Sequence, residues 1–206
     1  MIWQDHIPKD IQALYEIYDH RHAAAILRIE FPEELDELCN ALREFRFTVE
    51  DVKMPGGSES IITKKFDTLL RPLKWVEQTL NAKLVVDATE VQVDTHWVDF
   101  IKNRVAFDFE WNSKDQTFDR DLSAFRAFFE YGRLSVGVLV TRGPDLDPWF
   151  ATLGNVVGSD GKERPLKAKF GASTTRWDQL IPRLEAGRSG GCPVLAFGIS
   201  TKQIER

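Results

Sequence analysis

HWVDFIKNRVAFDFEWN, residues 96–112, is the stretch on which the fold turns. β-Branched and aromatic residues dominate on both sides of the polar pair Lys102-Asn103, which predicts two β-strands joined by a tight turn. With Lys102 and Asn103 as the turn, Ile101 faces Arg104, Phe100 faces Val105 and Asp99 faces Ala106. Side chains alternate with period two, so Ala106, Asp108 and Glu110 share one face and Asp99 joins it across the hairpin. The diagonal pair Asp99 and Asp108 then has Cβ atoms roughly 7 Å apart, a span that two carboxylates close around one cation.

Three acids on one face of a buried hairpin lose hydration and repel one another unless something positive sits between them. A divalent ion meets that need. All-oxygen ligands point to Mg²⁺, with Mn²⁺ as a substitute, since Zn²⁺ would want Cys or His. His96 is near, but strand alternation does not aim it at the same point. The alternative is a half-exposed strand whose acids merely face solvent, because Asp108 and Glu110 alternate with Phe107, Phe109 and Trp111.

Further words surround the hairpin. After VDFIKNRVAFDFEWNSKD come FDRDLSAFRAFF and VGVLVTR, and near the end CPVLAFGIS. Together they resemble the BglII/BstYI family of type II restriction endonucleases within the PD-(D/E)xK nucleases, most strongly from about Trp97 to Arg142. The resemblance implies an α/β fold with a central mixed sheet flanked by helices. It makes Asp99 and Asp108 metal ligands, with the Phe109 carbonyl completing the set, and gives Asp99, Asp108 and Glu110 the catalytic roles. Glu110 stands where characterised members carry glutamine, and Asp108 where glutamate is more common. The implied substrate is a six-base DNA palindrome with a GATC centre, cut to leave a 5′ overhang. A cognate DNA methyltransferase is the expected functional partner, and a palindrome read by two copies of one site demands a homodimer.

The remaining composition bounds this reading. With 206 residues and 43% hydrophobic content, the chain is expected to be one domain, with a helical N-terminal part over about residues 1–58 and a catalytic core over about 59–206. No run of about 18 apolar residues occurs and the N-terminus lacks the order of a signal peptide, so the expectation is a cytoplasmic protein with no membrane partner. Cys39 and Cys192 lie in apolar company and are expected to be buried thiols. The net charge of −5 does not exclude a nucleic-acid partner, since affinity depends on a local basic groove.

Along the chain, Pro8 to His20 has helical spacing of Ile11, Leu14, Tyr15 and Tyr18, Ala23 to Phe31 reads as a strand, and Pro32 opens a second helix. The loop Met54 to Ser60 precedes a helix from Ile61 to Leu73, where Lys64 and Lys65 either meet a DNA phosphate or follow an ordinary serine cap. LVVDA and EVQV are expected as strands, the first in the central sheet. A helix follows over DRDLSAFRAFFEYG, capped by Asp119 or Asp121, and then a fully buried strand, Leu134 to Arg142.

Two polar stretches are candidates for DNA contact. Asn112 and Lys114 lie directly beyond the acids, and Ser173, Thr174 and Thr175 either read base edges or cap the helix RWDQLIPRL. The latter stretch lies among Lys162, Arg164, Lys167, Lys169 and Arg176, the densest basic run of an acidic chain. Two other functions fit the same residues. One is a nuclease of the same core in repair or on modified DNA, and the other a non-catalytic DNA-binding module.

Overall fold

A computed structural model of the chain describes residues 2–54, 60–80, 83–87, 89–92, 96–158 and 161–205. In order, it contains α1 (Lys9–Leu14), β1 (Tyr15–His20), α2 (Ala23–Glu30), α3 (Pro32–Glu44), α4 (Val49–Lys53), α5 (Ile61–Leu70) and β2 (Val76–Leu80). A small hairpin, β3 (Lys83–Val86) and β4 (Thr89–Gln92), precedes β5 (His96–Lys102), β6 (Val105–Glu110) and α6 (Thr117–Glu130). Then come β7 (Val136–Arg142), α7 (Leu146–Phe150), β8 (Asn155–Val157), β9 (Glu163–Pro165), α8 (Trp177–Glu185) and β10 (Val194–Ile199).

Six strands form one mixed sheet in the order β1-β10-β7-β6-β5-β2, with β6, β7 and β10 parallel and the other pairings antiparallel. The three parallel strands are buried along their full length, as the near-continuous apolar runs VGVLVTR and VLAFGI require. Their side chains divide by alternation. Val105, Phe107, Phe109, Val138, Val140 and Phe197 enter a core shared with the N-terminal helices and α7. Ala106, Leu139, Val194 and Ala196 enter a second core with α6 and α8. Gly137 admits α6 closely, since a Cβ there would stand 2.4 Å from the Phe125 ring. Among the described residues no helix is long and apolar enough to cross a membrane.

The α/β expectation holds, and the β5–β6 hairpin, α3, α6, β7 and β10 lie where periodicity puts them. Four details differ. The hairpin turn is Asn103-Arg104, because Lys102 pairs with Val105, Ile101 with Ala106 and Phe100 with Phe107. Asn103 takes the left-handed conformation (φ 52°) that Asn tolerates, and its amide donates to the buried Glu34 of α3. The neighbouring Lys102 ammonium meets the Glu37 carboxylate at 2.6 and 2.7 Å, so two acids of α3 hold the turn.

The expected first helix ends at Leu14, and Tyr15–His20 instead pairs antiparallel with β10, a partner almost the whole chain away. Ala23–Glu30 is a helix rather than a strand, burying Ala23, Ala24 and Leu27 along one side. Lys83–Val86 pairs with Thr89–Gln92 in a separate two-stranded sheet instead of joining the central one. The loop expected over Met54 to Ser60 falls largely outside the described residues. Both cysteines are buried free thiols, as expected.

Candidate active site

β6 alternates Phe107 and Phe109 toward the aromatic core, which turns Asp108 and Glu110 to the opposite face, under α6. Both are buried, at 3% and 5% exposure. The next strand is irregular. Val76 of β2 pairs with Ile101 and Gln78 with Val98, so one residue of β2 between these pairs opposes two of β5. The extra residue is a bulge at Asp99 and Phe100, opposite Glu77, and it places Val98 and Ile101 in the same core while Phe100 enters the other. Bulges re-aim side chains beside active sites. Here the bulge sets the Asp99 backbone N–H 2.8 Å from Asp108 Oδ1, which accepts it. The two acids thus stand directly across the hairpin rather than diagonally. Because the pairing moves by two positions, the shared face expected from the sequence is preserved.

A fourth acid completes the cluster. Asp121 of α6 is 2% exposed and faces Asp108 and Glu110 from above. It does not cap its helix; Gln116 occupies the N-cap position and makes no side-chain bond there. Asp121 continues the apolar stripe Phe118, Phe125 and Phe128 at steps of three and four, so its burial was legible as an acid inside a core-facing stripe.

Among the described residues, Asp108 Oδ2, Glu110 Oε2 and Asp121 Oδ2 are buried without a hydrogen-bond partner. Such atoms are expensive unless a proton or a cation serves them. Desolvation is the leading cause that raises every carboxyl of the set: Asp99 above its ordinary value, Asp108 well above it, Glu110 to about 8 and Asp121 to about 6. The Asp121 charge adds to the rise at Asp108 and Glu110. The Arg120 guanidinium offsets part of it at Asp99, Glu110 and Asp121.

Arg120 lies against the cluster with Nη2 2.9 Å and Nε 3.1 Å from Asp121 Oδ1, and Nη2 3.7 Å from Glu110 Oε1. A cleft of about 1030 Å³ opens here, and its lining includes Asp99, Glu110, Ser113 and Arg120 together with Ser60 and Lys64 of the α5 entrance. A smaller cavity of about 280 Å³ joins Asp99, Asp108 and Asp121 to Glu77, Trp97 and Arg120. The donor set is made of hard oxygens, three of them unsatisfied, and it fits a hard divalent cation. Among the described residues no three Asp, Glu, His or Cys side chains stand in ligand geometry.

The expected DNA-contact stretches meet beyond the end of β6. Thr175 N donates to the Ser113 carbonyl (2.9 Å) and Asp115 N to the Ser173 carbonyl (3.0 Å), which pairs Lys114 with Thr174. Lys114 and Ser173 are exposed. Thr174 spends its hydroxyl on Arg142 Nη2 and the Gly171 carbonyl, and Thr175 is buried. Neither they nor Ser173 caps α8, whose N-cap is Arg176. The Asn112 amide donates to the Lys169 carbonyl at 3.2 Å.

The basic run is divided by its partners. Lys169 points inward, its ammonium on the Val52 and Met54 carbonyls, and Arg176 pairs with Asp147 and Asp178. Lys162, Arg164 and Lys167 stay exposed. At the α5 entrance Ser60 accepts from Thr63 N as an ordinary cap, and Lys65 pairs with Asp51.

No curated protein matches the chain. A family model described as "Restriction endonuclease BglII/BglIII" matches residues 15–199, which takes in every strand of the central sheet and the whole acid cluster. The chain therefore belongs to the BglII restriction endonuclease family and is a type II site-specific deoxyribonuclease acting on double-stranded DNA.

Proposed function

We propose that this endonuclease uses Mg²⁺, with Mn²⁺ able to replace it, and that Asp99, Asp108 and the Phe109 carbonyl are its metal ligands. The carrying observation is the unsatisfied Asp108 carboxylate, held by the Asp99 N–H through one oxygen and buried without a partner at the other. The bound ion would supply positive charge at the phosphoryl group and lower the pKa of a coordinated water.

The chain's own residues do the rest. Glu110, which lines the cleft, accepts a hydrogen bond from the attacking water and orients it toward phosphorus. In-line attack forms the new P–O bond as the bond to the 3′ oxygen breaks. That oxygen takes a proton and leaves as a 3′-hydroxyl, and the product carries a 5′-phosphate. Lys114 and Ser173, exposed on paired backbone beside the cleft, and Asn112 below them contact the DNA; Thr174 and Thr175 shape that surface from within. The site is a six-base palindrome with a GATC centre, read by a homodimer, and a cognate methyltransferase protects the host copy. Family membership supports these assignments.

The test is digestion of unmethylated phage DNA with Mg²⁺, wild type beside Asp108→Ala. Discrete fragments that vanish in the variant, with GATC-centred 5′-phosphate ends, are expected. Intact DNA with both Mg²⁺ and Mn²⁺, from folded dimeric protein, would overturn the metal assignment for such DNA.

A further inference from the structure

We propose that Arg120 is a displaceable counter-ion: it neutralises the acid cluster in the metal-free enzyme, and a bound divalent ion drives it off Asp121 and Glu110 toward the scissile phosphate. This rests on the metal assignment made above for Asp99 and Asp108.

The cluster is asymmetric in exposure. The Glu110 and Asp121 side chains are 6% and 2% exposed, fixed between β6 and α6, whereas the Arg120 side chain is 61% exposed. The cation is the part that can leave. A guanidinium cannot lose its proton in a protein, so its charge persists beside any incoming metal. A divalent ion and Arg120 therefore compete for the same carboxylates, and their mutual repulsion is strong at a few ångströms in a partly buried site.

The destination follows from position. Arg120 lines both the wide cleft and the smaller cavity over Asp108, so one rotamer change moves its head from the acids to open space beside them. Guanidinium groups bind phosphate through two parallel N–H donors, and one placed next to the metal stabilises charge developing on the phosphoryl oxygens. Asp121 is then a positioning residue. It holds Arg120 in the metal-free state and takes no part in the reaction itself.

Titration of Mn²⁺ into the metal-free protein, with free Mn²⁺ read by electron paramagnetic resonance, tests this in the wild type, D108A, R120Q and R120K. The expected result is Mn²⁺ binding by the wild type, its loss in D108A, and an affinity about tenfold tighter in R120Q, since one like charge has been removed from a partly screened site. R120K, which restores the charge, returns the affinity toward wild type, and R120Q cuts DNA far more slowly at saturating Mn²⁺. A purely structural Arg120 would instead give weaker Mn²⁺ binding in R120Q. Unchanged or weaker binding in R120Q beside a wild type that binds overturns this proposal alone, as does full cleavage by R120Q. Failure of the wild type to bind Mn²⁺ overturns the metal assignment, and this proposal with it.

Discussion

The backbone N–H of Asp99 donates to Oδ1 of Asp108 across 2.8 Å, so the bulge in β5 and the second acid of the site are one unit. The bond engages one carboxylate oxygen and leaves the other buried and unpaired. It aligns the two acids before any ligand arrives, at the expense of a poorly solvated carboxyl.

Asp108→Asn separates these effects. The amide oxygen still accepts from Asp99, while the buried acid is gone. Cleavage is expected to vanish, and the metal-free protein to gain on the order of 1 kcal/mol of stability. Urea unfolding in chelator and a digestion assay measure the two sides. Cleavage that survives in the variant would show that Asp108 is not a ligand.

The raised carboxyls make metal-free stability depend on pH. Glu110 and Asp121 hold protons to about 8 and 6 in the folded state, and Asp108 is raised as well, whereas unfolded chains release them near ordinary carboxylate values. The folded state thus binds more protons in between, and stability must fall as pH rises from about 4.5 to about 8. Denaturant midpoints in chelator at several pH values across that window measure the slope, and Glu110→Gln is expected to flatten its upper end. A midpoint that climbs across the window contradicts the burial argument.

Glu37 carries the hairpin from outside the site. Its carboxylate takes Lys102 Nζ at 2.6 and 2.7 Å and Trp75 Nε1 at 2.9 Å. Glu37→Ala leaves the indole N–H of fully buried Trp75 unpaired and is expected to cost about 1–3 kcal/mol. Hydrogen exchange should show faster opening of the β5–β6 amides, the Asp99 N–H among them. Unaltered exchange there would mean that α3 does not brace the turn.

Arg142 plays the equivalent part for the 173–175 strip proposed above to face DNA. Fully buried, it donates to the Thr175 carbonyl (3.0 and 2.8 Å), to Thr174 Oγ1 (2.6 Å) and to Asp147 (3.2 Å), with its head near the Phe150 and Phe170 rings. Arg142→Met keeps bulk but removes these donors. DNA affinity in Ca²⁺ is expected to fall about tenfold as the 173–175 strip loosens, with a stability loss of about 3 kcal/mol. Fluorescence anisotropy with labelled duplex and thermal unfolding read both quantities, and an intact affinity would exclude this strip from the DNA surface.

By itself the sequence determined the alternations and the stripes. Period-two patterning in 96–110 sends Asp108 and Glu110 to one face whatever the turn, which is why misplacing the turn by one residue left the acids together. The stripe Phe118, Leu122, Phe125 and Phe128 likewise defines α6, and the unbroken apolar runs define β7 and β10.

Tertiary structure decided what short segments do when both periods fit. Tyr15–His20 becomes a strand because β10 offers an open edge, and Ala23–Glu30 becomes a helix because its small residues pack against the sheet. It also decided the site's full membership. Asp121 and Arg120 adjoin Glu110 only once α6 lies across β6, since the distance between two elements depends on packing that no local pattern encodes.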